Sequence, residues 1–185
     1  MELAQATMNR QREIVSRFDA FLTCRSSIVR MRCHGDLHLG QVLWTGRDFV
    51  FLNFEGDETK PISERRIKRS PLRDVARMLR SFHHAAYAGF HQQVDLGVIS
   101  RENLTRFEPW VRHWNVTVSR GYLQAYFRGL EKSELLPRDE GKLRVLLLAY
   151  LLNQVVDELG RELRLHSDNI RAPLQAIIYL TEEQL

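Results

Sequence analysis

The chain has 185 residues, of which 44% are hydrophobic and 27% charged, and its formal net charge is +4. This composition suits one folded domain or lobe and excludes a disordered tail, because enough apolar surface is available to form a core. With no apolar run near the ~20 residues of a membrane span, no expected signal peptide and only two cysteines, we expect a cytoplasmic protein with reduced thiols. The modest positive charge is spread along the chain and does not favour a nucleic-acid partner.

Hydrophobic spacing in the first third of the chain predicts one helix and one small β-hairpin. The helix is expected over residues 3–22 and is followed by a strand-like stretch at 27–33 and a polar segment at 34–41. Two β-rich runs, 41–44 and 48–54, are separated by a three-residue loop with a central glycine. This arrangement is typical of a hairpin.

The remainder of the chain is predicted to be helical. Ser70 is a suitable N-cap and is followed by a proline at the first helical position. Further helices are expected over 108–131 and from Pro137 to about 163, and Pro173 is expected to break the chain before a short amphipathic tail. The predicted fold class is therefore mainly α with a small β-hairpin (α+β).

The polar segment before the hairpin carries residues suited to phosphoryl transfer. Asp36 lies two residues after His34 and five before Gln41, and the polar loop after the hairpin contains Asn53 and Glu55. Phosphoryl transfer needs a carboxylate that orients the acceptor hydroxyl, an amide oxygen a turn later, and oxygen ligands after the next strand. The hairpin would bring both loops side by side. The alternative is a surface loop in which the aspartate caps a turn and the histidines pack.

Three segments, RCHGDLHLGQVLW, FLNFEGDETKPISERRIKRSPLRDVARMLRSFHHAAY and FEPWVRHW, resemble the C-terminal lobe of the bacterial maltokinases. These enzymes often occur fused to trehalose synthase and belong to the aminoglycoside-phosphotransferase-like, protein-kinase-like superfamily. The resemblance runs from about residue 30 to the end and is strongest over 32–87. It implies one kinase-like C-terminal lobe over 1–185, with the catalytic loop, hairpin and metal loop in 30–60 and a helical part in 70–185.

The resemblance also implies an activity: ATP- and Mg²⁺-dependent phosphorylation of a sugar hydroxyl, with maltose or a related glucoside as the acceptor and maltose 1-phosphate as the product. Asp36 then corresponds to the acceptor-activating base and His34 to the histidine of the catalytic loop. Gln41, Asn53 and Glu55 correspond to the metal-binding positions. The family usually has aspartate at position 53, so we expect weakened metal binding. We also expect Asn53→Asp to raise magnesium affinity, and an unchanged metal titration would contradict this.

Outside the two loops, the resemblance assigns Asp74 to bracing the catalytic loop from the next helix. As an acid in a first helical turn, Asp74 would also interact favourably with the helix dipole. His38, Glu158 and Glu162 are candidate contacts to the sugar acceptor. Trp110 and Trp114 are expected to pack their helix, with a sugar contact as the alternative.

A partner lobe is part of the prediction, since we find neither a Gly-rich phosphate loop nor a strand with a nucleotide-pairing lysine. We expect the N-terminal lobe to be absent from this chain and to be supplied in cis or in trans, and the isolated chain to be inactive. One alternative function is a degenerate, non-catalytic kinase lobe that acts as a binding or regulatory module. Another is nucleic-acid binding through the basic run at 65–69.

Overall fold

The computed structural model describes residues 2–24, 28–165 and 170–182, and it is mostly helical with one two-stranded antiparallel sheet. This confirms the predicted fold class. The elements, in chain order, are α1 (Glu2–Asn9), α2 (Gln11–Cys24), β1 (Val42–Trp44), β2 (Phe49–Phe51), α3 (Ile62–Arg65), α4 (Leu72–Asp95), α5 (Leu104–Gly129), α6 (Glu140–Arg164) and α7 (Arg171–Glu182).

The hairpin forms where it was predicted. Val42 lies opposite Phe51 and Trp44 opposite Phe49, so the loops before β1 and after β2 are adjacent. The connection has four residues rather than the three expected, because the strands end at Trp44 and begin again at Phe49. Gly46, with φ of +86°, supplies the left-handed conformation that this turn needs.

Two of the predicted helix boundaries were wrong. The single N-terminal helix is divided at Arg10, whose backbone N–H bonds Thr7 at a turn before α2 begins. Pro173 does not break the chain but lies in the first turn of α7. A proline there costs no hydrogen bond, because the first N–H groups of a helix have no intrahelical partner.

The expected strand at 27–33 does not form over its described residues, 28–33. Met31 makes a single bridge to Arg69, with both backbone hydrogen bonds at 2.9 Å. Pairing stops there because Ser70 and the following proline turn the partner segment into α4. The Ser70 hydroxyl accepts the Leu72 N–H at 3.3 Å, as an N-cap does.

Helices α4 and α6 form the centre of the molecule. The apolar stripe of α4 is buried and packs against α5 and α6 at Val75, Met78, Leu79 and Phe82. A second cluster joins α6 to α2 and α7 through Leu152, Val155, Ala176 and Ile177. The first turns of α4 are therefore packed into the core, and this end of the helix contacts the polar segment at 34–41.

The two tryptophans of α5 do not pack the helix as expected. Trp110 is 70% exposed and Trp114 47% exposed, and both line a shallow apolar groove between α4 and α5. Among the described helices, none combines the length and apolarity needed to cross a membrane.

Acid is expected to destabilise the fold through His83 of α4. Burial, followed by the charges of Arg80 and His84, lowers the pKa of His83 from 6.5 to about 4. The unfolded chain therefore takes up a proton near pH 6.5 and the folded chain only near pH 4, so stability falls as the pH drops through this window. We expect a loss of about 1–3 kcal/mol between pH 7 and pH 4 from this group.

This loss should be absent from His83→Gln and retained in the exposed control His91→Gln. Urea unfolding at pH 7, 5 and 4 measures it. An identical pH dependence in wild type and His83→Gln would contradict the assignment.

Candidate functional site

Asp74, in the first turn of α4, holds the backbone of the polar segment at 34–41, which is the predicted catalytic loop. Its carboxylate accepts the His34 N–H at 2.7 Å on Oδ2 and the Gly35 N–H at 3.0 Å on Oδ1. Gly35 has φ of +85° and an added Cβ would lie 3.5 Å from the Gly56 Cα. The loop therefore turns sharply against the polar loop that follows β2, and Asp36 comes directly after this anchored turn.

His34 connects the predicted catalytic loop to the end of the hairpin. Its ring is buried and lies 5.0 Å from the Phe54 ring. Its Nε2 is 2.6 Å from the Leu52 carbonyl oxygen, and its Nδ1 accepts the Asp36 N–H at 3.3 Å. A neutral ring with the proton on Nε2 satisfies both bonds, and we assign that tautomer from the network. Both nitrogens are used within the protein, so His34 positions Asp36.

The Asp36 carboxylate meets an arginine that sequence analysis missed. Arg77 of α4 donates from Nη1 to Asp36 Oδ1 and from Nη2 to Asp57 Oδ2, the latter at 3.3 Å. His38 lies on the other side, with its Nε2 3.7 Å from Asp36 Oδ2. The available signal was spacing: Arg77 follows Asp74 by three residues, so both lie on one helix face.

Asp57, which pairs with this arginine, is itself held in position by Thr59. Its Oδ1 accepts the Thr59 hydroxyl at 2.6 Å and the Thr59 N–H at 3.1 Å. Burial by itself raises the pKa of Asp57, but the bonds from Thr59 and then Arg77 outweigh burial and lower it. Asp57 is therefore ionised at neutral pH.

The structure brings two of the three predicted metal ligands together. Asn53 donates from Nδ2 to Gln41 Oε1 at 2.7 Å, and the Leu52 N–H bonds the Gln41 carbonyl oxygen at 2.9 Å. Asn53 has φ of +57°, a left-handed conformation that asparagine tolerates better than most residues. Glu55 is exposed, and its backbone oxygen accepts from Arg65 Nη1 at 3.4 Å.

These residues, as placed, do not fit a magnesium ion. The amide oxygen of Gln41 is taken by Asn53, and the carboxylates of Asp36 and Asp57 are paired with Arg77. Across the described ranges no three His, Cys, Asp or Glu side chains converge as metal ligands would. Magnesium is usually bound through one or two carboxylates, and here those of Asp36 and Asp57 are bonded to a guanidinium.

The three candidate acceptor contacts lie in different places. His38 is beside Asp36, and its Nδ1 accepts the Gly40 N–H at 3.1 Å. Glu158 is only 5% exposed and is enclosed between α4 and α6, where Arg80 and His84 bind it. Glu162 is half-buried one turn further along α6. The structure thus groups His38 with Asp36 and leaves Glu158 closed to a ligand.

Basic side chains line a small pocket beside the predicted catalytic loop. Arg65, Arg69 and Arg73 surround it together with Cys33. Burial and the charges of neighbouring arginines lower the pKa of Arg73, which reflects crowded positive charge. Burial, followed by the charge of Asp74, raises the pKa of Cys33 to about 11, so this thiol is no nucleophile.

Comparison with known proteins finds similarity to glucosamine kinases. No protein-family profile matches the sequence. A stretch of 54 residues, 29% of this chain and 13% of the relative, is 46% identical to a glucosamine kinase from Mycolicibacterium smegmatis (strain ATCC 700084 / mc(2)155).

Solved structures of glucosamine kinase superpose on nearly the whole chain. The complex with glucosamine, ADP and inorganic phosphate has a TM-score of 0.61 at 17% identity, over 96% of this chain and 43% of that one. Crystal form B gives a TM-score of 0.59 at 17% identity, over 96% and 44%. Crystal form A gives 0.59 at 18%, over 97% and 46%. The chain spans less than half the length of these structures, and its fold is similar to the kinase-like fold of that part of them.

Proposed function

We propose that this chain is the C-terminal lobe of an ATP-dependent sugar kinase and carries the carboxylate that orients the acceptor hydroxyl. The observation that supports the proposal most is the double hydrogen bond from Asp74 to the backbone of His34 and Gly35. It presets the position of Asp36 before a substrate binds, and such preorganisation is how phosphotransferases work. The 46% identity to a glucosamine kinase over 54 residues supports the same conclusion.

In the proposed reaction a sugar hydroxyl oxygen attacks the terminal phosphorus of ATP, and the bond between that phosphorus and the bridging oxygen of ADP breaks. Asp36 holds the hydroxyl by hydrogen bond and accepts its proton as the new O–P bond forms. His34 and Asp74 keep this carboxylate in place. We propose that a further lobe, in the same polypeptide or in a partner chain, completes the nucleotide-binding site.

Two acceptors are supported by different observations. The motifs around the catalytic loop resemble those of maltokinases and favour maltose or a related glucoside. The 54-residue stretch that is 46% identical to a glucosamine kinase favours an amino sugar. His38 lies next to Asp36 and is therefore the candidate for a contact to either sugar.

One pair of contacts favours the alternative function, in which the chain is a non-catalytic kinase lobe that acts as a binding or regulatory module. Asp36 is paired with Arg77, and Asn53 uses its amide to bond Gln41. A lobe arranged in this way would bind nucleotide or sugar without phosphoryl transfer.

The experiment uses the polypeptide that carries this chain, purified from its source cell, and follows ADP release with maltose and with glucosamine. Asp36→Asn is expected to lower turnover at least about 100-fold, because general-base assistance contributes that much. Asp19→Asn, at an exposed site on α2, is the matched control. Turnover that is equal in Asp36→Asn and wild type would refute the role of Asp36. Sugar binding with no turnover in wild type would favour the alternative.

A further inference from the structure

One guanidinium joins the two acidic loops of the candidate site. Arg77 donates from one terminal nitrogen to Asp36 in the catalytic loop and from the other to Asp57 in the loop after β2. The Arg77 side chain is 12% exposed, and those of Asp36 and Asp57 are 29% and 21% exposed. The bridge is thus largely shielded from water, where charge–charge interactions are stronger than at an exposed surface.

Two ionised carboxylates that face one small space repel each other unless a cation lies between them. A divalent ion does this in many phosphotransfer sites, and a forked guanidinium can do it with two parallel bonds. Here the cation is part of the chain. The Gln41 amide oxygen, which could complete a metal shell, already accepts a hydrogen bond from Asn53 Nδ2.

We propose that Arg77 is a positioning residue that takes the place of a divalent cation between Asp36 and Asp57 and competes with metal ions for them. It holds Asp36 by Oδ1, so Oδ2, on the side of His38, is the oxygen that faces an acceptor hydroxyl. The inference rests on the proposed function only for the role of Asp36. The pairing and its consequence for metal binding stand on the contacts alone.

The test measures Mn²⁺ binding to the 185-residue chain by electron paramagnetic resonance of the free ion, without nucleotide or sugar. Wild type is expected to bind Mn²⁺ weakly. Arg77→Gln is expected to bind it at least about tenfold more tightly, because two ionised carboxylates lose their internal cation. Arg77→Lys, which keeps the charge, should gain much less.

Two controls separate this effect from a change in overall charge. Arg47→Gln removes the same charge from the exposed hairpin turn and should leave Mn²⁺ affinity unchanged. The double variant Arg77→Gln with Asp57→Asn should lose the gain, because only one carboxylate remains.

Equal Mn²⁺ affinity in folded Arg77→Gln and wild type would overturn the proposal. If the variant does not fold, the Mn²⁺ affinity of wild type alone tests the proposal. Tight binding that broadens the NMR signals of Asp36 and Asp57 overturns it, whereas weak binding supports it. The two proposals fail separately. Unaltered sugar phosphorylation in Asp36→Asn would end the proposed function and leave the Mn²⁺ result intact, while an unaltered Mn²⁺ affinity would leave the kinase assignment intact.

Discussion

Replacing Asp74 by alanine is expected to lower the free energy of unfolding by about 3 kcal/mol, because two charge-assisted hydrogen bonds to backbone N–H groups are lost together. The His34 and Gly35 N–H groups, bonded at 2.7 and 3.0 Å, would lose their acceptor in a partly buried turn. The favourable interaction of an acid with the first turn of α4 would be lost as well.

The same change is expected to reduce sugar phosphorylation at least about 100-fold, because a displacement of about 1 Å in a positioned group costs that much. Asp36 follows the anchored turn directly, so it would move when the turn relaxes. Urea unfolding of the chain gives the stability, and ADP release by the polypeptide that carries it gives the activity.

Asp74→Asn separates geometry from charge. Its amide oxygen can still accept one of the two N–H groups, while its NH₂ group opposes the other, so both losses should be intermediate. Asp95→Ala, at an exposed position near the end of the same helix, is the control and should change stability by no more than about 0.5 kcal/mol. A stable and active Asp74→Ala would contradict the bracing role.

Local sequence signals were sufficient to predict the hairpin and the start of α4. The signals are two β-rich runs on either side of Gly46 and a Ser-Pro pair before an apolar stripe, and each acts over a few residues. They also implied that Gln41 and Asn53 would meet, since antiparallel strands bring their flanking loops together. The structure places their amides 2.7 Å apart.

The contacts that the sequence did not reveal are ion pairs between residues far apart along the chain. Arg77 looked like one more surface arginine, and only the approach of two acidic loops to α4 gives it partners. Glu158 was predicted as a candidate contact to the sugar acceptor, but α4 packs over it and supplies Arg80. The hydrophobic period of a helix identifies its apolar side and cannot identify a charge that is buried with a counter-charge.

Truncating Glu158 to alanine is expected to cost about 3–5 kcal/mol of stability, because the change leaves a buried cation without its partner. Arg80 is 7% exposed and donates to Glu158 Oε2 at 2.9 Å, and His84 Nε2 lies 3.1 Å from Oε1. Burial by itself raises the pKa of Glu158, but the bond from His84 and the charge of Arg80 outweigh burial and lower it to about 2. This stabilisation is present above pH 4.5 and is lost as the pH falls towards 2.

A double variant tests whether the cost comes from the unpaired charge or from lost packing. Arg80→Met with Glu158→Leu removes both charges and keeps apolar volume, so it should be much more stable than Glu158→Ala. Asp157→Ala, the exposed neighbour on α6, should change stability by no more than about 0.5–1 kcal/mol. Chemical unfolding at pH 7 provides all three values. If Glu158 instead contacted the sugar, Glu158→Gln would raise the KM for the acceptor and leave the unfolding midpoint unchanged, and that result would contradict the buried-pair assignment.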